Sequence, residues 1–441
     1  MRLSPATPLP ASVRRPAYDR AAQAAGIVHL GIGAFHRAHQ AAYTDAAMSG
    51  GDRDWGIVGV SLRSPDVAAQ LNPQDGLYTV SSRSAAGCEL SLVGAVQRVL
   101  VAPENPRAVI DALAAPTTHI VSLTVTEKGY LRGAGGELDL AAATGPASLY
   151  RYLGAAFAAR KAAGLAGLTL LSCDNLANNG AVLRGLISAW LDAEQPDLLG
   201  WFESECRCPA TMIDRIVPAT TDADRAAVAA ELGACDEGAV VTEAFSQWVI
   251  ADDFAGPRPR WEAVGAELVA DVAPYETAKL RMLNGAHSAL AYIGLLNGHD
   301  YVHQAIADPA IRPLIERLMR DEAAPTIAAA PGQDLGAYAA ALLDRFANPA
   351  LDHRLIQIAM DGSQKIPQRW LETLAWHQRR GARCPSLERA VAAWIDFLRS
   401  GRFPVDDPLA DRLRAAAAAP DAAQRLFGAQ GIVRSDWTPA A

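Results

Sequence analysis

The sequence predicts a mostly parallel α/β domain over residues 1–270 and a mainly helical domain over residues 271–441. Up to that boundary short apolar runs alternate with helical stretches, the pattern of buried strands joined by crossover helices. The first run, Gly26 to Leu30, passes directly into a glycine turn. Beyond the boundary the apolar spacing is helical, as in Ile311 to Met319, Leu335 to Phe346, Ser386 to Leu398 and the alanine-rich Leu409 to Ala419.

Composition narrows the class. The 441 residues are 50% apolar and 20% charged, with a formal charge of −8, as in an acidic soluble protein with a large core. No basic stripe suits nucleic acid. No apolar run approaches a membrane span and the first residues lack an apolar leader core, so a cytoplasmic location is expected. Cys88, Cys173, Cys206, Cys208, Cys235 and Cys384 are too scattered for a disulfide framework. Cys206 and Cys208 have no second pair at ligand spacing, so no metal is expected.

In chain order, the first strand opens onto Gly31-Ile32-Gly33-Ala34-Phe35-His36-Arg37, and a helix begins within that run. Glycines let the backbone approach a pyrophosphate, and the free amides of a helix start meet its charge. The motif is G-x-G-x-x-H, with His36 in the place of a third glycine and Arg37 either adding charge to a phosphate or forming an ion pair. The second run, Trp55 to Val60, leads to Ser61 and Arg63. An acid there would bond the ribose hydroxyls and repel a phosphate, so this pair leaves NAD and NADP both open. Asp66 either supplies the acid or caps the next helix.

The runs His119 to Thr124 and Leu168 to Cys173 each end in a polar segment, which is where open sheets bind ligands. The first segment carries Thr126 and Glu127, the second Asn175. An asparagine amide can donate to an oxygen that gains charge in a transition state, or it can serve a turn. Asp214-Arg215 interrupts an apolar run, either as a buried ion pair or as a contact to a polar substrate.

Tyr275 to His287 carries the chemistry in the spacing K-x4-N-x2-H. At roughly 100° per residue, Glu276, Lys279, Leu283 and His287 fall within an arc of roughly 80°, with Asn284 roughly 60° beyond it. The segment is apolar nearly all round, which places these polar groups in the interior and depresses the pKa of a buried lysine. His299 and His303, soon after, are read as structural.

Together, His29 to Gln40, Thr124 to Tyr130, Ser172 to Asn175, Asp214 to Pro218 and K-x4-N-x2-H resemble the mannitol dehydrogenase family across nearly the whole chain. The resemblance implies an N-terminal Rossmann-type dinucleotide-binding domain, a helical substrate domain, NAD(P) as cofactor, no catalytic zinc and a monomer. It assigns the catalytic lysine to Lys279, the oxyanion amides to Asn175 and Asn284, the substrate-orienting histidine to His287, and the acid beside a water path to Glu276. Cofactor contacts fall on Gly31, Gly33, Phe35, His36, Arg37, Ser61, Arg63, Thr126 and Glu127, and substrate contacts on Asp214 and Lys365.

Ser61 to Ser64, Gln74 to Thr79, Gln247 to Ile250 and Ala359 to Arg369 resemble the fructuronate reductase (D-mannonate oxidoreductase) branch, with mannitol dehydrogenation the alternative. A sugar-acid carboxylate needs a cation, which Lys365, Arg369 or Arg281 could supply. A non-catalytic sugar-acid or nucleotide sensor would not need a base beside two amides.

Overall fold

The computed structural model describes residues 1–84, 86–133, 135–350 and 352–439. It divides into two compact units, Met1–Val272 and Ala273–Ala441.

The strands of the N-terminal unit are β1 (Ala25–Leu30), β2 (Gly56–Ser61), β3 (Tyr78–Ser84), β4 (Gly87–Val93), β5 (Val96–Val101), β6 (Ile120–Leu123), β7 (Thr169–Ser172), β8 (Thr211–Asp214), β9 (Val240–Glu243), β10 (Gln247–Ala251) and β11 (Glu267–Val269). The central sheet is parallel throughout, in the order β5-β2-β1-β6-β7. From β1 the chain builds toward β5 on one side and then crosses to β6 and β7 on the other. The β1/β6 boundary is therefore the topological switch point, the place where such sheets bind nucleotides.

The pleat sorts the core. Val28, Leu30, Val58, Val60, Val121 and Leu123 pack on one face, with Val109, Phe157, Leu183 and Trp190 of the flanking helices. Ile27, Ile57 and Ile120 point to the other face, with Ala38, Met48, Trp248 and Trp261. Alternate residues of a strand face opposite ways, and both faces are covered, so the strands read as continuous apolar runs. Two smaller sheets, β4-β3-β9 and β11-β10-β8, complete the unit.

The run after the glycine turn forms two helices, Ala34–Ala38 and Gln40–Ser49, broken at His39, whose backbone (φ −118°, ψ −96°) leaves helical space.

In the C-terminal unit one helical rod runs through three segments: α over Ala273–Ala278, π over Lys279–Asn284 and α over Gly285–Leu296. Gly285 to Leu295 are all buried, which makes this rod the centre of the unit's core. Two further π turns, Leu318–Ala323 and Pro367–Leu371, pack against the first. In each an N–H reaches five residues back: Gly285 to Leu280, Ala324 to Met319, Glu372 to Pro367. The helix expected over Ile311 to Met319 thus stops being α at Arg317 and continues as a π turn. Pro367 has no N–H to return to the preceding turn, which favours the irregular pitch of the third one.

Candidate active site

In the N-terminal unit the glycine turn lies at the carboxyl end of β1, beside β6. Gly31 has φ +93°, and a Cβ there would sit 2.2 Å from the Thr124 carbonyl oxygen, so no side chain fits. A Cβ on Gly33 would meet only the Gly31 oxygen, at 3.9 Å, so the space above Gly33 is open to a ligand. A buried chain fixes the turn from below. His29 Nδ1 lies 2.7 Å from Ser122 Oγ, and Nε2 lies 2.8 Å from Thr124 Oγ1. The Thr124 hydroxyl donates to the Gly31 carbonyl at 2.7 Å, so its oxygen takes the His29 Nε2–H. Burial pulls the His29 pKa down to about 3, and the ring is neutral.

His36 stacks on His29 with ring centroids 3.4 Å apart and is itself buried. Its pKa is held well below the usual histidine value, first by burial and then by His29, His39 and Arg37. Phe35 stacks on His39 at 5.6 Å. Arg37, expected at a phosphate or an ion pair, braces the turn instead: Nε donates to the Gly33 carbonyl at 3.3 Å and Nη1 to the Gly238 carbonyl at 2.5 Å. Ser61 closes β2 in a buried position and Arg63 is exposed. Asp66 does not cap its helix, because Pro65 occupies the N-cap and Asp66 is the first helical residue.

The segments after β6 and β7 are tied by Asp174. Its carboxylate accepts from the amides of Val125 (3.0 Å) and Thr126 (2.9 Å) and from the Tyr130 hydroxyl (2.8 Å). Burial pushes the Asp174 pKa up, and these donors oppose the rise. Thr126, exposed with φ +63°, and Glu127, also exposed, are held in this loop, with exposed Asn175 next to Asp174. Asn179 anchors the loop: its amide nitrogen reaches the Thr211 carbonyl and hydroxyl, both at 3.0 Å, and its oxygen accepts from the Thr211 N–H at 2.9 Å. Asp214 ends β8 in a buried position. Its neighbour Arg215 is committed to the carbonyls of Ala38 and Glu243 and to Ser82 Oγ, bonds that hold the chain around the site.

In the C-terminal unit the π turn changes the expected geometry. In a uniform α-helix Lys279 and Asn284 would be separated by roughly 140° around the axis. A turn closed by an i→i+5 bond takes up an extra residue and so narrows that separation, which brings the two side chains of K-x4-N nearer to one face. The 80° arc drawn with a uniform α period is corrected accordingly. Glu276, Lys279 and Asn284 are half-buried, not interior, while His287 is buried. The Asn284 side-chain amide makes no hydrogen bond with another side chain or backbone group among the described residues.

His287 lies against Phe346 (4.7 Å between centroids) and His353 (5.1 Å). Burial, then His353, Arg345 and Arg369, hold its pKa well below the usual value, so it is a neutral ring. Arg369 stands beside Asn284, with Nη1 donating to Ser288 Oγ at 2.8 Å and to the Asn284 carbonyl at 3.4 Å. Burial brings its pKa to about 10, which leaves it charged at neutral pH. Lys365 donates to the Met360 carbonyl at 2.6 Å, and its pKa is lowered by burial and by Arg369. Arg281 is engaged within the protein: Nη1 donates to Thr326 O and Oγ1, both at 2.9 Å, and Nη2 pairs with Glu372 at 2.9 Å. His299 pairs with Asp308 at 3.0 Å.

Sequence reasoning passed over His29, Asp174, Asn179 and Trp370. Asp174 and Asn179 stood in a segment already marked by its position after a strand, where side chains that bond two loops at once are needed. Trp370 left no signal, because its partner is a carbonyl 85 residues away.

Comparison with known proteins gives the family. The mannitol dehydrogenase Rossmann domain matches residues 25–263, and the mannitol dehydrogenase C-terminal domain matches residues 271–427. The chain is 41% identical to the D-mannonate oxidoreductase of Escherichia coli over 96% of this chain and 92% of that one. Pseudomonas fluorescens mannitol 2-dehydrogenase, solved as a ternary complex with NAD and D-mannitol, is 37% identical with a TM-score of 0.82, covering 98% of this chain and 93% of that one. A D-sorbitol dehydrogenase in substrate-free form is 32% identical with a TM-score of 0.91, covering 96% and 91%. The chain belongs to the mannitol dehydrogenase family of oxidoreductases.

Proposed function

We propose that this protein interconverts D-mannonate and D-fructuronate with NAD as cofactor. The single observation that supports the mechanism is the π turn that carries Lys279 and Asn284, with no hydrogen bond to the Asn284 side-chain amide among the described residues. The identity to D-mannonate oxidoreductase supports the substrate, and the likeness to an enzyme solved with NAD supports the cofactor. The residues of the glycine turn fit a dinucleotide: the space above Gly33 is open, and Gly31 is held so that the backbone alone faces it.

In this reading the N-terminal unit binds the cofactor and the C-terminal unit the sugar acid. Bound NAD would supply the hydride acceptor for the substrate's carbinol carbon. Lys279 removes the hydroxyl proton in oxidation and returns it in reduction. Asn175 and Asn284 donate to the oxygen as it gains alkoxide character. Glu276, about one turn before the lysine, carries its proton to and from water. Neutral His287 orients a hydroxyl without repelling the lysine's charge, and Asp214 and Lys365 hold further hydroxyls. Arg369 remains charged beside Asn284 and meets the carboxylate.

The test is a four-way assay of the mannonate/fructuronate and mannitol/fructose pairs, each with NAD and with NADP. Turnover of the sugar-acid pair with NAD is expected to dominate. Rapid turnover of mannitol beside none of mannonate would replace the substrate with a polyol, the reading the likeness to mannitol 2-dehydrogenase favours. The absence of an acid at Ser61 and Arg63 is why NADP is included.

A further inference from the structure

The helix that carries Lys279 and Asn284 is held from the side by a buried indole. The Trp370 indole N–H donates to the Gly285 carbonyl at 2.9 Å, and the ring is fully buried. Gly285 is the residue whose own N–H closes the π turn onto Leu280, so the bond falls where π pitch returns to α. Trp370 itself lies in the π turn Pro367–Leu371, next to Arg369, whose Nη1 reaches the carbonyl of Asn284. Two successive carbonyls, of Asn284 and Gly285, thus receive side-chain donors from two successive residues of a second irregular turn. The approach is close: a Cβ on Gly285 would come within 3.1 Å of the Arg369 carbonyl oxygen.

A π turn interrupts a more favourable α-helix and persists when its surroundings over-determine it. A regular helix would carry Lys279 and Asn284 roughly 140° apart. We infer that Trp370 is a positioning residue for the reaction: by holding the Gly285 carbonyl it fixes the π turn that brings Lys279 and Asn284 nearer to one face. The inference rests on the reading of Lys279 and Asn284 as the reacting pair.

Trp370→Phe removes the donor and keeps most of the ring. Misplacing reacting groups by about 1 Å costs up to about 100-fold in rate, so kcat is expected to fall between tenfold and that limit while the KM for NAD stays within about twofold. The pH profile of kcat is expected to shift, because the surroundings of Lys279 change. Trp394→Phe, at another fully buried tryptophan of the same unit, is the control for lost packing and should leave the pH profile in place.

Gly285→Ala gives a second route if Trp370→Phe fails to fold. The 3.1 Å approach means that the added methyl displaces its neighbour whatever the role of Trp370, so a purely structural role predicts at most a change in stability, with the pH profile of kcat unchanged. The positioning role predicts the same loss of kcat and the same shifted profile, because the added methyl pushes on the Arg369 backbone. Wild-type kcat and pH profile in Gly285→Ala, or in a folded Trp370→Phe, would overturn the inference. Lys279→Ala separates the two ideas: if it remains active, the assignment of the base fails; if it is inactive while Trp370→Phe behaves as wild type, only the positioning role fails.

Discussion

The two units solve the problem of a fixed site in opposite ways. In the N-terminal unit the groups proposed to face the ligand are largely backbone, at the ends of regular strands, and buried polar side chains hold those loops: His29 and Thr124 under Gly31, Arg37 on Gly33, Asp174 on Val125 and Thr126. In the C-terminal unit the groups proposed to react are side chains on a helix, and the helix itself is irregular. The difference teaches that a sheet presents a site by stopping, at a strand end, whereas a helix must change pitch to present residues five apart.

The sharpest way to break this contrast is Lys279→Ala. If the C-terminal unit contributes side-chain chemistry and the N-terminal unit cofactor binding, turnover should fall about a thousandfold while the NAD dissociation constant, read by fluorescence titration, stays unchanged. Residual activity near wild type would remove Lys279 from the mechanism.

Gly31→Ala tests the other half. The positive φ and the 2.2 Å approach to the Thr124 oxygen mean that even a methyl forces the turn to move. A loss on the order of 3 kcal/mol is expected in urea unfolding, together with weakened NAD binding. Near-normal NAD affinity in a folded variant would show that the turn does not cradle the cofactor.

The smallest effect is a pH dependence. His29 has its pKa pulled from the ordinary 6.5 to about 3 by burial, so the unfolded chain binds its proton first. Its contribution to stability is complete above pH 6.5 and is lost as pH falls toward 3, with roughly 2 kcal/mol gone at pH 5. His29→Gln should flatten that part of the stability profile between pH 7.5 and 5. An identical acid slope in the variant would mean that His29 does not couple the turn to pH.

What was legible in the sequence follows the same contrast. The runs Gly26 to Leu30, Trp55 to Val60, His119 to Thr124 and Leu168 to Cys173 became β1, β2, β6 and β7 within one or two residues, because strands covered on both faces must be apolar throughout. The β3–β4 hairpin escaped notice: Thr79 and Ser81 flank Val80, and Ser82, Arg83 and Ser84 are all polar, so no continuous apolar run marks β3. The K-x4-N-x2-H residues were visible as chemistry, yet their relative phase was not, since a period of 3.6 carries no sign of the extra residue in a π turn. Arg281 had the charge to bind a carboxylate, and its bonds to Thr326 and Glu372, 45 and 91 residues away, could not be read from spacing.

The π turn at Lys279–Asn284 also bears on how such a helix can change over generations. A π turn holds one residue more than the α turn it replaces, so deleting one residue there would restore regular pitch and leave the helix beyond it in nearly the same phase. Ala286, Ala289, Leu290 and Ile293 would keep their places in the core. The packing behind the turn therefore does not preserve the extra residue by itself, and a descendant with no use for the phase of Lys279 and Asn284 would be free to lose it.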